Sequence, residues 1–424
     1  MSASTLVYDL GIGSLRLLYG AASLVHGKAR LFHQGRKKQQ VILRQTFPQH
    51  NKNKPLVWVH CASLGEFEQG RPVIEALKIR NPAVQVLLTF FSPSGYEVQK
   101  NYAGADFVFY LPWDTRTHAR WFAEQVKPDL AIFVKYEFWY HYIHALHAHH
   151  IPVISISSIF RDDQIFFKPH GGLFRQMLTK FNHFFVQNEH SVHLLETIGI
   201  HACTLAGDTR FDRVNQIILR AESIEIAAQF KNDQTLMVVG SAWPEDMDVL
   251  IPFMNTQPNS MKFIIAPHEI KDSFLTTIEK GIQGKTIRYS KATAENIQDA
   301  RVLLIDNVGL LSRLYRYGEF AFVGGGFVQG LHNILEAACY GIPVFFGDQA
   351  YQKFQEAVDL AEQGGAFPIH DLNDINEKFR RLHEQPGALT EAAKVTRQYV
   401  EKNLGATDKI VRYCEAILQA WKAA

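Results

Sequence analysis

The chain is predicted to be an α/β protein built from two consecutive doubly wound, Rossmann-like parallel sheets, and three observations predict this. From Leu56 onward, short apolar runs alternate with segments of helix length: LVWVH, VQVLLTFF, DFVFYLP, DLAIFV, PVISIS and HFFVQ. The same alternation resumes after a polar helical stretch at Ala221–Lys231, with LMVVGS, KFIIAP and RVLLID. Finally, 424 residues of which 47% are hydrophobic and 20% charged suffice for two sizeable cores. The organisation expected is a membrane-associated helix and basic segment over 1–40, a first domain over 41–220 and a linker over 221–232. A second domain follows over 233–405, and a terminal helix over 406–424 crosses back to the first.

The N-terminal run Leu6–Val25 is apolar and about twenty residues long, enough at ~1.5 Å per residue to span a bilayer core. Thr5, Asp9, Gly13, Arg16, Gly20, Ser23 and Gly27 recur every three or four residues, however, and draw a polar, small-residue stripe along one face. That pattern places the helix in the membrane interface rather than across it. Packing of the helix on its own domain or on a partner is the structural alternative. Residues 1–60 carry nine Lys or Arg against Asp9 alone, +8, while the remainder sums to 35 minus 41, or −6, within a net charge of +2. The positive charge is therefore local and suits an anionic membrane surface. No basic stripe interleaved with stacking aromatics continues into the body, which argues against a nucleic-acid partner.

Ligands of parallel sheets gather at the carboxyl ends of strands, so the residues just beyond each run are the candidates. After the first run, Ser63-Leu64-Gly65-Glu66 leads into a helix, and Glu66 there can act as a general base or simply interact with the helix dipole. After the fourth, Lys135-Tyr136-Glu137-Phe138-Trp139 brings Glu137 to the same edge, to orient a substrate or to form a buried ion pair. Gly207-Asp208-Thr209-Arg210-Phe211-Asp212 closes the half. In the second half LMVVGS ends at Ser241, and KFIIAP ends at Pro267-His268.

The stretch Glu319–Asp348 reads as strand, glycine turn (Gly324, Gly325, Gly326), helix and strand, with His332 and Asn333 at the helix start and Glu336 one turn on. Such a unit aims backbone N–H groups at a phosphate, with Glu336 positioned for ribose hydroxyls; the plain alternative is a structural crossover. The glycine spacing is not GxGxxG, which disfavours a dinucleotide. Two such domains, one with carboxylates and one with a phosphate site, follow the plan of a two-domain nucleotide-sugar glycosyltransferase with donor and acceptor in the cleft between. Cys61, Cys203, Cys339 and Cys414 form no CxxC pair, and the histidines 141, 144, 147, 149 and 150 read as a solvated helix face rather than a metal site.

In order and spacing, the segments SLGE, YEFW, GDTRFD and GG followed by HNILEA resemble those of the 3-deoxy-D-manno-octulosonic acid (Kdo) transferases, over nearly the whole chain. The resemblance implies a GT-B fold and an inverting, metal-independent transfer of Kdo from CMP-Kdo to the lipid A precursor, at the cytoplasmic face of a Gram-negative inner membrane, with no cofactor. It implies Glu66 as catalytic base and Glu137 as the second acid of an ETELW-like motif. The substrate-binding set it implies is Ser63, Gly65, Glu137, Arg210, Ser241, Pro267, His268, Gly325, Gly326, His332, Asn333 and Glu336. The chain departs from the family pattern at Lys135, at Ser241–Glu245 in place of a THxGE-like stretch, and at His268, where an arginine is usual. An epimerase of the same fold and a non-catalytic nucleotide-sugar binding protein are the competing readings.

Overall fold

The computed structural model describes residues 3–47, 53–220, 222–328 and 330–423. It divides into two units, residues 1–213 with 404–424, and residues 214–403.

The first unit is a seven-stranded sheet of β1 (Leu56–Cys61), β2 (Gln85–Phe90), β3 (Phe107–Tyr110), β4 (Leu130–Val134), β5 (Val153–Ser158), β6 (His183–Val186) and β7 (Cys203–Leu205). Its order is β3-β2-β1-β4-β5-β6-β7 and every pairing is parallel. The strands read as continuous apolar runs because both faces are covered. Along β1, Trp58 joins the core on one face while Val57 and Val59 join the core on the other.

The second unit repeats the plan with β8 (Leu236–Ala242), β9 (Lys262–Pro267), β10 (Thr286–Arg288), β11 (Val302–Leu304), β12 (Phe320–Val323), β13 (Val344–Gly347) and β14 (Ala366–Ile369). These strands too are all parallel, in the order β10-β11-β9-β8-β12-β13-β14. Three strands, β7, β10 and β14, have no counterpart among the apolar runs of the sequence. Residues 221–232, expected as a linker, include the helix Glu225–Lys231, whose Ala227 and Phe230 are buried.

The N-terminal residues form two helices, Ala3–Ala22 and Gly27–Thr46. Among the described residues no helix is long and apolar enough to cross a membrane. Part of the polar stripe turns toward its own domain: Thr5 and Ser23 are buried and Asp9 pairs with the buried His141 at 2.5 Å, while Gly13, Arg16 and Gly27 are exposed; next to Asp9, the Tyr8 hydroxyl donates to Asp114 at 2.5 Å. Leu6, Val7, Leu10, Leu17 and Leu18 are left exposed. His141 thereby corrects the reading of the histidine run as a solvated face, because its Nε2 pairs with a carboxylate 132 residues away in sequence.

Arg36, counted with the surface positive charge, is buried. Its guanidinium donates to the carbonyls of Leu111 and Phe91, each at 2.7 Å, and lies 4.0 Å from the Phe32 ring centroid. Burial lowers its pKa to about 10.

The terminal helix Ala406–Ala423 puts Ala406, Ile410, Val411, Cys414 and Leu418 into the same core as the helix Leu64–Arg80. Asp212 accepts from the backbone N–H groups of Gly405 and Thr407, both at 2.7 Å, and so satisfies donors that the helix start leaves unpaired. Replacing Asp212 by Ala is expected to cost about 1–3 kcal/mol. Hydrogen exchange would accelerate across 406–418 before β1–β6; unchanged exchange there would show the clamp to be dispensable.

Candidate functional site

In each sheet the order of strand addition reverses once, between β1 and β4 and between β8 and β12. Loops leaving such neighbouring strands diverge to opposite faces and open a crevice at the carboxyl edge. The candidate residues lie at these two points.

At the first, Ser63 begins the helix Leu64–Arg80, its Oγ accepting from Gly65 N at 3.3 Å and its hydroxyl donating to Glu66 Oε2. The Ser63 side chain thus serves the helix start. It also holds one oxygen of Glu66 and leaves Oε1 without a hydrogen-bond partner among the described residues. Glu137 sits beyond β4 with its Oε2 held twice, by Trp139 Nε1 at 2.7 Å and by His60 Nε2 at 2.9 Å. His60 is fully buried in β1, and its Nδ1 meets the Thr89 hydroxyl at 2.8 Å, which in turn accepts from the Trp58 indole at 2.7 Å. A line of side chains through the core therefore fixes Glu137. The two carboxylates converge on the end of β1: both act on Cys61, whose thiol burial pushes well up, with Glu66 and Glu137 adding to it. Glu66 also acts on Tyr136, whose hydroxyl accepts from Arg161 at 2.8 Å.

Arg210 lies in the first turn of the helix Thr209–Arg220. Its guanidinium is clasped by Asp208 at 2.8 Å, and Asp208 also accepts from Gln69 at 3.1 Å, while the Thr209 hydroxyl donates to the Gln69 carbonyl at 2.6 Å. The GDTRFD segment thereby braces the helix that carries Glu66.

At the second reversal, Asp246 is the organising group, and sequence reasoning passed over it. Only 1% exposed, it accepts at Oδ2 from Trp243 N at 2.8 Å and from Gly325 N at 2.9 Å. One carboxylate so ties the loop after β8 to the glycine turn after β12. A side chain on Gly324 would collide with Ser241 O and with Asp246 Oδ2, and Gly325 adopts φ +90°. Gly326 lies against the backbone of Gly347. The glycines thus answer close approach as much as ligand access, and the N–H of Gly325 is already committed. Ser241, at φ +51°, holds a left-handed conformation that costs a non-glycine residue roughly 1–3 kcal/mol.

The turn leads to a helix shorter than expected. It spans Leu335–Ala338, not a run from Asn333, and the Asn333 Oδ1 accepts from Leu335 N at 3.2 Å. Glu336 lies in its first turn and is half-buried. His332 accepts at Nε2 from the Trp243 indole at 3.0 Å. His268, following Pro267, stacks on both rings, with centroids 4.4 Å from Trp243 and 4.5 Å from His332. Burial, with His268 adding to it, lowers His332 to about 4. The structure therefore gathers Ser241, Pro267, His268, Gly325 and His332 around Trp243 and Asp246. Among the described residues no group of three or more His, Cys, Asp or Glu side chains is arranged to hold a metal.

Two parallel Rossmann-like units, each with its polar groups at the strand reversal, define a two-domain α/β protein of GT-B type. Solved structures agree on the fold: the chain superposes on UDP-GlcNAc 2-epimerase from Neisseria meningitidis with TM-score 0.59 at 17% identity, covering 84% of this chain and 98% of that one. It also superposes on Acinetobacter baumannii MurG with TM-score 0.56 at 13% identity, covering 86% and 99%. Residues 38–213 match the family model described as 3-deoxy-D-manno-octulosonic-acid transferase (kdotransferase). The chain is 28% identical to the 3-deoxy-D-manno-octulosonic acid transferase of Aquifex aeolicus, over 80% of this chain and 90% of that protein. With the transferase of the same name from Rickettsia bellii the identity is 24%, over 94% and 93%. The chain is accordingly a glycosyltransferase and a relative of the Kdo transferases, as its motifs implied.

Asp246 supplies a stability test. Desolvation outweighs its two backbone hydrogen bonds and pushes its pKa up to about 6. The folded chain thus holds this proton more tightly than the unfolded chain. Its contribution is greatest below the ordinary carboxylate pKa and falls as pH rises to about 6, by roughly 2–3 kcal/mol. Asp246→Asn, which keeps an acceptor without the charge, is expected to match or exceed wild-type melting temperature at pH 7 and to flatten its dependence between pH 4 and 6. Asp246→Ala leaves two donors unpaired and should cost about 2–4 kcal/mol.

Proposed function

We propose that the protein transfers Kdo from CMP-Kdo to a lipid A precursor, with inversion, at the cytoplasmic face of the inner membrane. Support comes from the sequence relatives, all transferases of this name among those described above, and from the position of Glu66 and Glu137 at the strand reversal of the first sheet. Glu66 takes the proton of the acceptor hydroxyl through its unengaged Oε1 as that oxygen attacks the anomeric carbon of Kdo. The bond from that carbon to the CMP phosphate oxygen breaks, and CMP leaves with the electron pair. Glu137, immobilised by His60 and Trp139, orients the acceptor beside it.

In the second unit, the surroundings of Trp243 and Asp246 receive the nucleotide. Ser241, Pro267, His268 and Gly326 line it, His332 and Asn333 meet the phosphate, and Glu336 takes the ribose hydroxyls. The observation that carries the reading is Glu66, a carboxylate with one oxygen fixed by Ser63 and the other open, on a first-turn helical position just past β1, with Glu137 immobilised just past the neighbouring β4.

The membrane assignment draws on Leu6, Leu10, Leu17 and Leu18, an exposed apolar face on the first helix, followed by exposed Lys28, Arg30, Lys37 and Lys38. The epimerase structures share the fold but not the sequence relationship, and fold alone does not choose a reaction.

Labelled Kdo transfer to a lipid A precursor, from CMP-Kdo generated in the assay, is the direct test. Wild type should give product, and Glu66→Gln should lose about 10²–10⁴ in rate while still binding CMP. No product from wild type would overturn the donor and acceptor assignment. Separately, Leu10→Glu with Leu17→Glu should abolish co-sedimentation with anionic vesicles, and retention of binding would remove this helix from the interface.

A further inference from the structure

Trp243, His332 and His268 are tied to one another by a hydrogen bond and ring contacts to which the transfer reaction as derived above gives no role. The Trp243 and His332 rings are nearly coplanar, with an interplanar angle of 9° and centroids 6.3 Å apart, and meet edge to edge through the indole N–H and Nε2 at 3.0 Å. His268 lies across the seam, within 4.5 Å of both centroids and on the exposed side. The indole nitrogen can only donate. Nε2 of His332 must therefore carry a lone pair, and a neutral ring then bears its single proton on Nδ1. A flip of the ring would turn a C–H toward the indole N–H, so the hydrogen bond also fixes which way the ring faces. The Cδ2 edge lies against Gly325, which leaves Nδ1 on the opposite edge, without a hydrogen-bond partner among the described residues.

We propose that Trp243 is a positioning residue for the donor: it holds His332 as a neutral imidazole protonated at Nδ1, which gives an anionic oxygen of the nucleotide one fixed N–H donor. This rests on the reading of His332 as a donor contact. A histidine with an ordinary pKa gains and loses a positive charge between pH 6 and 7, and its grip on a phosphate would change with it. Here protonation of Nε2 would set two N–H groups against each other. The titratable neighbours act in the same structural unit: His268 stacks on the ring and opposes a second positive charge, and Asp246 lies behind Gly325, engaged by the N–H groups of Trp243 and Gly325. Trp243 lies within Ser241–Glu245, the stretch that stands in place of the family's THxGE-like pattern, so this lock belongs to the departure noted in the sequence.

The test uses the full chain labelled with ¹⁵N-histidine, with the His332 resonances assigned by their loss in His332→Gln. Two-bond ¹⁵N–¹H correlation spectra should show Nε2 unprotonated and Nδ1 protonated in wild type, unchanged from pH 5.5 to 8. Trp243→Phe keeps a ring beneath His268 without the donor, and His332 should then titrate and populate the Nε2–H form. CMP affinity is measured for both proteins at each pH and read as their ratio, which cancels the titration of CMP itself and of Asp246. That ratio should shift at least threefold between pH 5.5 and 8. A His332 that titrates in wild type, or a tautomer indifferent to Trp243→Phe, overturns the lock. A tautomer that switches with no change in the ratio overturns the positioning role. Failure of wild type to bind CMP at all overturns the donor reading and the role with it, while the spectra still decide the ring pairing.

Discussion

A parallel sheet covered on both faces has little place for chemistry except its carboxyl edge, and the reversal of strand order decides where along that edge a crevice opens. In this chain both sheets reverse next to their first strand. Ser63 and Glu66 follow β1 and Glu137 follows β4; Ser241 lies at the end of β8, Asp246 follows it, and the glycine turn follows β12. Each pair of loops must then be held at its own crevice, and the two units do so differently. The first runs hydrogen bonds through the buried interior, from Trp58 and Thr89 through His60 to Glu137. The second inserts a single desolvated carboxylate, Asp246, between two backbone N–H groups.

Both solutions carry conformational cost at the same edge. Lys135, Ser157 and Ser241 all lie at or just beyond the carboxyl ends of strands, and all have positive φ without being glycine. Strain of this kind persists where surrounding structure over-determines it, and it concentrates where side chains must be aimed. The core beneath supplies that surrounding structure, since β1, β4, β8 and β12 are buried along their lengths.

Most of the fold was legible because buried parallel strands are uninterrupted apolar runs, a pattern that survives without any tertiary information. β7 and β10 escaped notice because they are three-residue strands with partly exposed side chains, and β14 is interrupted by Pro368. The positions after strands pointed to Glu66, Glu137 and His332, as residues, but not to their partners. Nothing local links His60 to Glu137, 77 residues apart, or Asp246 to Gly325, 79 apart. Asp246 lies four residues beyond the end of its strand, and no local pattern marks it as the group that reaches across to Gly325. The helix after Asn333 was overestimated because Ile334, Leu335, Ala337 and Ala338 have helical periodicity, which a single turn satisfies as well as several. Arg36 shows the complementary error: charge counted along a sequence takes no account of which cation the aromatic rings will cover.

The division of the chain has a consequence for how it is made. Residues 214–403 are an insertion within the first unit, whose remaining segment begins at Leu404. At ~5–20 residues per second, synthesis reaches the terminal helix roughly 10–40 s after Arg213 has left the ribosome's catalytic centre. Until then the places in the first core destined for Ile410, Val411 and Cys414 stay open beside the helix Leu64–Arg80. The nascent first unit must wait, incomplete and apolar on that side, while the second folds, and the residues translated after Asn403 are the ones that close it.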